Sequence, residues 1–180
     1  MRNSKYPIVS STQDYQNAFF TVRHEQVDIK GKQADFYVVE KDHDGVWIVP
    51  VQNEKILLIK QYRQHIRETA WEVVAGGSAH KGEDPLIGAK RELVEETGYT
   101  ASDMRVIGTF YLVPGLSDMI GHVVVAHNLH TGTQHREFSE DISAQSFFDF
   151  QEVQTMIRDG KIVDAMSITA LHYFFLQNNV

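Results

Sequence analysis

The stretch that decides the fold runs Gly77-Ser78-Ala79-His80-Lys81-Gly82-Glu83-Asp84-Pro85-Leu86-Ile87-Gly88-Ala89-Lys90-Arg91-Glu92-Leu93-Val94-Glu95-Glu96-Thr97-Gly98-Tyr99. Asp84 is a good helix N-cap, and Pro85 suits the first helical position, where an N–H would have no partner anyway. Gly98 suits the left-handed position that closes a helix. The spacing predicts a helix over 85–97. On its wheel Leu86, Ala89 and Leu93 make one apolar stripe, while Glu92, Glu95 and Glu96 cluster on another. Such acid pairs repel by roughly 0.2–0.5 kcal/mol each and oppose the helix dipole near its C-terminus. Either of two arrangements offsets that repulsion. One is a solvated acidic face with Arg91 paired to Glu95 at i,i+4; the other is a divalent cation. Carboxylates on successive turns of a rigid helix supply hard oxygen ligands, and ions so held can grip a diphosphate while activating a water.

Outward from this helix the chain reads as α/β. Residues from about Phe19 to Val51 alternate in the strand manner, with turns at Lys30-Gly31-Lys32 and His43-Asp44-Gly45, which predicts a β meander. Lys55 to Tyr62 is apolar enough at its centre to be a strand covered on both faces. After the helix, strands are expected at Arg105 to Tyr111, Gly121 to Ala126 and near Ser146 to Phe150, with an irregular segment from Val113 to Asp118. Helices are expected near Gln151 to Asp159 and from Ala165 to Gln177, the latter capped by Asp164.

Composition narrows the function. The 180 residues suit about one domain. With 17 Lys+Arg against 24 Asp+Glu the formal net charge is −7, which offers no basic face for duplex nucleic acid. No apolar run reaches the length of a membrane span, and Met1-Arg2-Asn3-Ser4-Lys5 leads into polar residues, so a soluble, cytoplasmic protein is expected. Cysteine is absent, leaving histidine and carboxylates as the strong metal ligands. A zinc site on His122, His127, His130 and His135 is not expected, because a strand puts His122 and His127 on opposite faces.

The order Gly77, five residues, Glu83, seven residues, Arg91-Glu92-Leu93, Glu95-Glu96, Gly98 and Tyr99 resembles the Nudix box. Its seven polar or glycine positions would coincide by chance on the order of once in a million chains of this length. A finer resemblance, over roughly residues 19–177, is to the branch of Nudix hydrolases acting on ADP-ribose and nucleotide sugars. It rests on Gln61-Tyr62-Arg63, on Trp71-Glu72-Val73-Val74-Ala75-Gly76, on Asp164-Ala165-Met166-Ser167, and on Pro114, fifteen residues after Tyr99.

The resemblance implies an α/β/α sandwich with a mixed central sheet, the box helix on one face and the C-terminal helix on the other. It implies an N-terminal β extension over 1–50 that makes a homodimer, and a catalytic domain over 51–180. By the same resemblance the Gly76 carbonyl, Glu92, Glu95 and Glu96 would ligate magnesium or manganese. Arg91 would pair with Glu95 or Glu83 and aim the carboxylates, a role suited to a planar fork of donors. A loop carboxylate, Glu140 ahead of Glu137 and Asp141, would act as general base, with Glu95 as the alternative. Arg63, Trp71, Glu72, Gly77 and Pro114 would meet the substrate, Arg63 holding a phosphate and Trp71 stacking on a base. Phe20 or Tyr37 of a partner subunit would add aromatic contacts. The branch commonly has a glutamate where this chain has Met119. The expected reaction is hydrolysis of a nucleoside diphosphate sugar or ADP-ribose. The alternatives are nucleoside triphosphates, dinucleoside polyphosphates or capped RNA as substrate, or a non-catalytic sensor of an ADP-ribose-like ligand.

Overall fold

The computed structural model describes residues 4–78, 80–133 and 141–178. Strands β4 (Gly45–Gln52), β5 (Lys55–Arg63), β6 (Glu68–Glu72), β7 (Val74–Gly77), β8 (Tyr99–Tyr111), β9 (Ile120–Thr131) and β10 (Ile142–Asp149) form a seven-stranded sheet. Its main order is β10-β5-β4-β9-β8, with β6 beside β5 and β7 beside β4. The β4–β9 pair is parallel and the other pairs are antiparallel, so the sheet is mixed.

Alternation along the central strands divides the core in two. Val49, Val51, Ile56, Leu58, Val123 and Val125 point to one face, beneath helices α2 (Phe150–Arg158) and α3 (Ala165–Asn178), which contribute Val153, Leu171 and Phe174. Val46, Ile48, Ile59, Val124 and Ala126 point to the other, beneath helix α1 (Pro85–Thr97), which contributes Ala89 and Leu93. Two covered faces explain why β4, β5 and β9 read as nearly continuous apolar runs. The result is the expected α/β/α sandwich.

Local signals set the boundaries. Asp84 accepts a hydrogen bond from the Leu86 N–H at 3.0 Å, Pro85 opens α1, and Gly98 at φ 75° closes it. Asn53 and Glu54, both at positive φ, make the two-residue turn between β4 and β5. Asp164 caps α3 by accepting from the Ser167 N–H at 2.7 Å. The Ser167 hydroxyl in turn accepts from the Val73 N–H at 3.2 Å, tying α3 to the strands that lead into the box.

A second, three-stranded sheet lies N-terminal: β1 (Ile8–Gln16), β2 (Thr21–Ile29) and β3 (Lys32–Glu40), all antiparallel. The meander expectation needs correction at both ends. Strand β1 precedes it, and β4 leaves it for the central sheet. The physical reason is burial: β4 is covered on both faces, whereas β1 is exposed along its whole length. The N-terminal sheet touches the body built on the central sheet where the Val39 N–H donates to the Leu116 carbonyl at 2.8 Å.

Candidate active site

The box loop and helix fold back on β7, and glycine makes the close approach possible. Gly76 carries the Glu92 carboxylate where its own Cβ would be, so any larger residue there would displace that carboxylate. One turn later Glu96, only 2 % exposed, accepts a hydrogen bond from the Ala75 N–H at 3.3 Å. Two acidic side chains of α1 are thus drawn to the adjacent residues Ala75 and Gly76.

Arg91 organises the surroundings. Its Nη2 donates to the Gly77 carbonyl at 2.5 Å. The same guanidinium lies 3.5 Å from Glu92, 3.9 Å from Glu83 and 3.9 Å from Glu95. Both expected partners of Arg91, Glu83 and Glu95, are beside it. One fork of donors therefore joins the loop carbonyl to three carboxylates on two sides of the box. Among the described residues, no three acidic or histidine side chains are already gathered round a common point. The donor set is nonetheless hard oxygen throughout, which fits magnesium or manganese and does not fit a soft ion.

A second ion pair lies at the entry to the box. Arg63 Nε and Nη2 fork the Glu72 carboxylate at 2.5–3.1 Å, and the Glu72 side chain is almost fully buried. Burial pulls the Arg63 pKa down, but hydrogen bonds to Glu72 and the charges of Glu72, Glu96 and Asp164 more than offset it, so the net shift is upward. Arg63 is committed to Glu72 while keeping an exposed edge. Trp71 needs correction. As the residue next to Glu72 it points to the opposite face, where its ring meets Phe148 edge-on with centroids 4.8 Å apart, in the core under α2 and α3. The structure does not bring it to the box.

Pro114 lines a groove of about 380 Å³ with Arg23, Phe36, Tyr37, Tyr111 and Leu116. The groove joins the N-terminal sheet to the 113–118 loop, and Lys81 Nζ ties that loop to the box loop through Asp118 at 2.8 Å. Glu137 and Glu140 lie outside the described residues. Asp141 accepts from the Tyr62 N–H through its carbonyl at 3.0 Å, so the segment that carries these acids ends on β5.

Residues 42–44 brace the box loop in a way the sequence did not reveal. Ser78 exchanges hydrogen bonds with the Asp44 backbone, donating its N–H at 2.8 Å and accepting the Asp44 N–H at 3.0 Å. From the sequence Asp44 reads as a turn residue and His122 as a surface or substrate-edge residue. They face each other across β4 and β9 at 4.0 Å. The available signal was alternation, since His122 shares its parity with the buried Val124 and Ala126.

A mixed-sheet sandwich whose acidic box helix folds onto a glycine-bearing strand through an arginine fork is the arrangement that the box resemblance implies. The NUDIX domain profile matches residues 41–166, and the chain is a member of the Nudix hydrolase family. It is 31% identical to an ADP-ribose pyrophosphatase of Bacillus subtilis (strain 168), over 98% of this chain and 96% of that protein. It is 28% identical to a methanol dehydrogenase activator of Bacillus methanolicus, over 94% of this chain and 92% of that one. The crystal structure of an ADP compounds hydrolase superposes with a TM-score of 0.87 at 20% identity, covering 99% and 98% of the two chains. That likeness concerns the fold. Among the described residues no helix is long and apolar enough to cross a membrane.

Proposed function

We propose that this Nudix hydrolase cleaves the diphosphate of ADP-ribose or a related nucleoside diphosphate sugar, giving a nucleoside monophosphate and a sugar phosphate. The observation that carries the reading is the convergence of Glu92 and Glu96 on Gly76 and Ala75, within a body whose groove contains Pro114. The resemblance to the Bacillus subtilis ADP-ribose pyrophosphatase along nearly the whole chain supports it. The Gly76 carbonyl, Glu92, Glu95 and Glu96 are the residues we assign to hold magnesium or manganese. Such an ion, when bound, supplies positive charge against the diphosphate and lowers the pKa of a water.

The chain's own residues do the rest. Arg91 fixes the loop carbonyl and the carboxylates in one geometry, and Glu83 completes that fork. Glu140, or Glu95 in its place, takes the proton of the attacking water. The water oxygen bonds to one phosphorus, the bridging P–O bond breaks, and the other phosphate leaves with its electron pair. Gly77 gives the diphosphate access to the loop backbone. The Pro114 groove receives the nucleoside, with Tyr37 as a stacking surface, and the exposed edge of Arg63 faces a phosphate oxygen. Glu72 serves by holding Arg63.

The N-terminal sheet supports a homodimer. Ile8, Val9, Tyr15, Phe36 and Tyr37 of its strands are all exposed, which offers apolar side chains to a second copy of the chain. A cytoplasmic location belongs to the same proposal. The test is a panel of ADP-ribose, GDP-mannose, UDP-glucose, NADH, a diadenosine polyphosphate and a nucleoside triphosphate, incubated with magnesium and resolved by ion exchange. Monophosphate from a diphosphate sugar is the expected product. Cleavage of the triphosphate alone, or binding of ADP-ribose with no product, would overturn the reading.

A further inference from the structure

Two buried side-chain acceptors among the described residues meet no donor: Gln61 Oε1 and Asp44 Oδ1. Asp44 is the informative one, because a carboxylate withdrawn from water is expensive unless donors surround it. The residue is 7 % exposed. Its backbone N–H and carbonyl are both engaged by Ser78. Asp44 Oδ2 lies 4.0 Å from His122 Nε2, and the side chains keep 11% and 18% of their exposure.

The sheet register places this pair. Val46 is opposite Gly76 on β7 and opposite His122 on β9, so the three form one row across the sheet. Val46 and Val124 pack beneath α1, and His122 therefore faces the same side as the box helix. Asp44, two residues before Val46, shares that face. On its other side His122 is opposite Thr109 of β8, the strand that runs on to Tyr111 and the Pro114 loop. Asp44 and His122 thus stand between the box glycines and the loop that lines the groove.

A separation of 4.0 Å is too long for a direct hydrogen bond and leaves room for one oxygen. An oxygen about 2.8 Å from each atom would subtend an angle of about 90°. That suits a group that donates to the carboxylate and accepts from the imidazole N–H. A hydroxyl does both. An unprotonated phosphate oxygen has nothing to donate and would face the Asp44 charge; an ammonium has no lone pair to accept with. Burial lowers the His122 pKa against an opposing pull from Asp44, which favours the neutral imidazole, a ring that carries one N–H.

We propose that Asp44 and His122 form a subsite for a sugar hydroxyl, placed beside the box to accept a diphosphate-linked sugar and to disfavour a terminal phosphate at the same spot. The choice of substrate rests on the hydrolase reading above, whereas the hydroxyl chemistry rests on the pair itself. Either sugar of an ADP-ribose molecule could supply the hydroxyl, and the test separates them.

Dissociation constants would be measured calorimetrically without divalent metal for ADP-ribose, for its analogue lacking both the 2′- and 3′-hydroxyls on the adenosine side, and for an ADP alkyl ester lacking the terminal sugar. The variants are Asp44→Leu and His122→Phe. Because nothing among the described residues donates to Asp44 Oδ1, Asp44→Leu is expected to keep its melting temperature or raise it. Both variants should bind ADP-ribose about three- to tenfold more weakly and should bind one of the two analogues as well as the wild type does. The analogue that shows no loss identifies the sugar. Equal losses on all three ligands, or no loss on any, would overturn the subsite and leave the pair a structural feature filled by water. Cleavage of ADP-ribose with the binding pattern absent sinks this inference alone. Binding with the pattern present but no cleavage sinks the hydrolase reading alone, and failure of the wild type to bind ADP-ribose overturns both.

Discussion

The box and the N-terminal sheet are built by the same local rules and end in opposite conditions. Helix α1 closes its own ends, buries Leu93 and Glu96, and has Arg91 satisfied by Gly77, Glu83, Glu92 and Glu95, all within fourteen residues of it. Strands β1 to β3 satisfy their inner backbone ladders yet leave Phe19 74 % exposed and β1 without cover. A region that completes itself can be read from its own sequence and is rigid enough to hold charge in place. One left incomplete takes its meaning from what covers it. The proposed reading accordingly assigns chemistry to the box and substrate selection to the surfaces that meet it.

The largest effects should come from the box. Glu96→Gln keeps an oxygen for the Ala75 N–H but removes the charge, so turnover of ADP-ribose with magnesium should fall by at least about a hundredfold while far-UV circular dichroism is unchanged. Retained turnover would break the assignment of chemistry to this helix. Gly76→Ala should follow, weakening manganese binding by roughly ten- to a hundredfold in a direct titration, because the new methyl displaces the Glu92 carboxylate. Gly115→Ala is the matched control. A Cβ there meets nothing within 4 Å, so metal binding should not move.

Much of this was legible in the chain, for identifiable reasons. Asp84, Pro85 and Gly98 fix α1 because caps act within one turn. The turns at Lys30-Gly31 and His43-Asp44 were legible because chain reversals draw on few residue types. The destination of β4 was not legible, since pairing with β9 joins residues about seventy-five positions apart and alternation is silent about partners. Trp71 misled for a related reason. Its neighbour Glu72 does face the box side, and only the phase of a short strand separates the two. Asp44 and His122 were legible only singly, as a turn residue and a surface or substrate-edge histidine, and only the register of β4 with β9 brings them together.

Arg63 tests where the rigid region ends. If its work is to neutralise Glu72, Arg63→Ala strands a buried carboxylate. Breaking a fully buried pair costs about 3–5 kcal/mol, and the partial exposure of Arg63 reduces that to roughly 2–3 kcal/mol in urea unfolding. If its work is confined to the substrate, stability will be unchanged and KM alone will rise. A fall in stability together with a raised KM would extend the self-completing region outward to β5 and β6.

Tyr37 probes the opposite region and should give the smallest effect. Its ring stacks on His24 with centroids 4.6 Å apart and an interplanar angle of 10°, and it remains 54 % exposed while lining the groove with Pro114. Stacking at such a surface is worth about 0.5–1.5 kcal/mol, so Tyr37→Ala should raise KM for ADP-ribose about three- to tenfold. Stability should stay within about 0.5 kcal/mol, because an exposed ring at that position supports no core. The kcat should hold, since Glu92 and Glu96 lie on helix α1, which packs on the other sheet. Measured on protein whose oligomeric state is fixed by analytical ultracentrifugation, a raised KM with kcat and assembly intact would assign the N-terminal sheet to selection. A fall in kcat of the same size would mean that the two regions are mechanically joined, with the Val39 to Leu116 hydrogen bond and the Lys81–Asp118 pair as the connection.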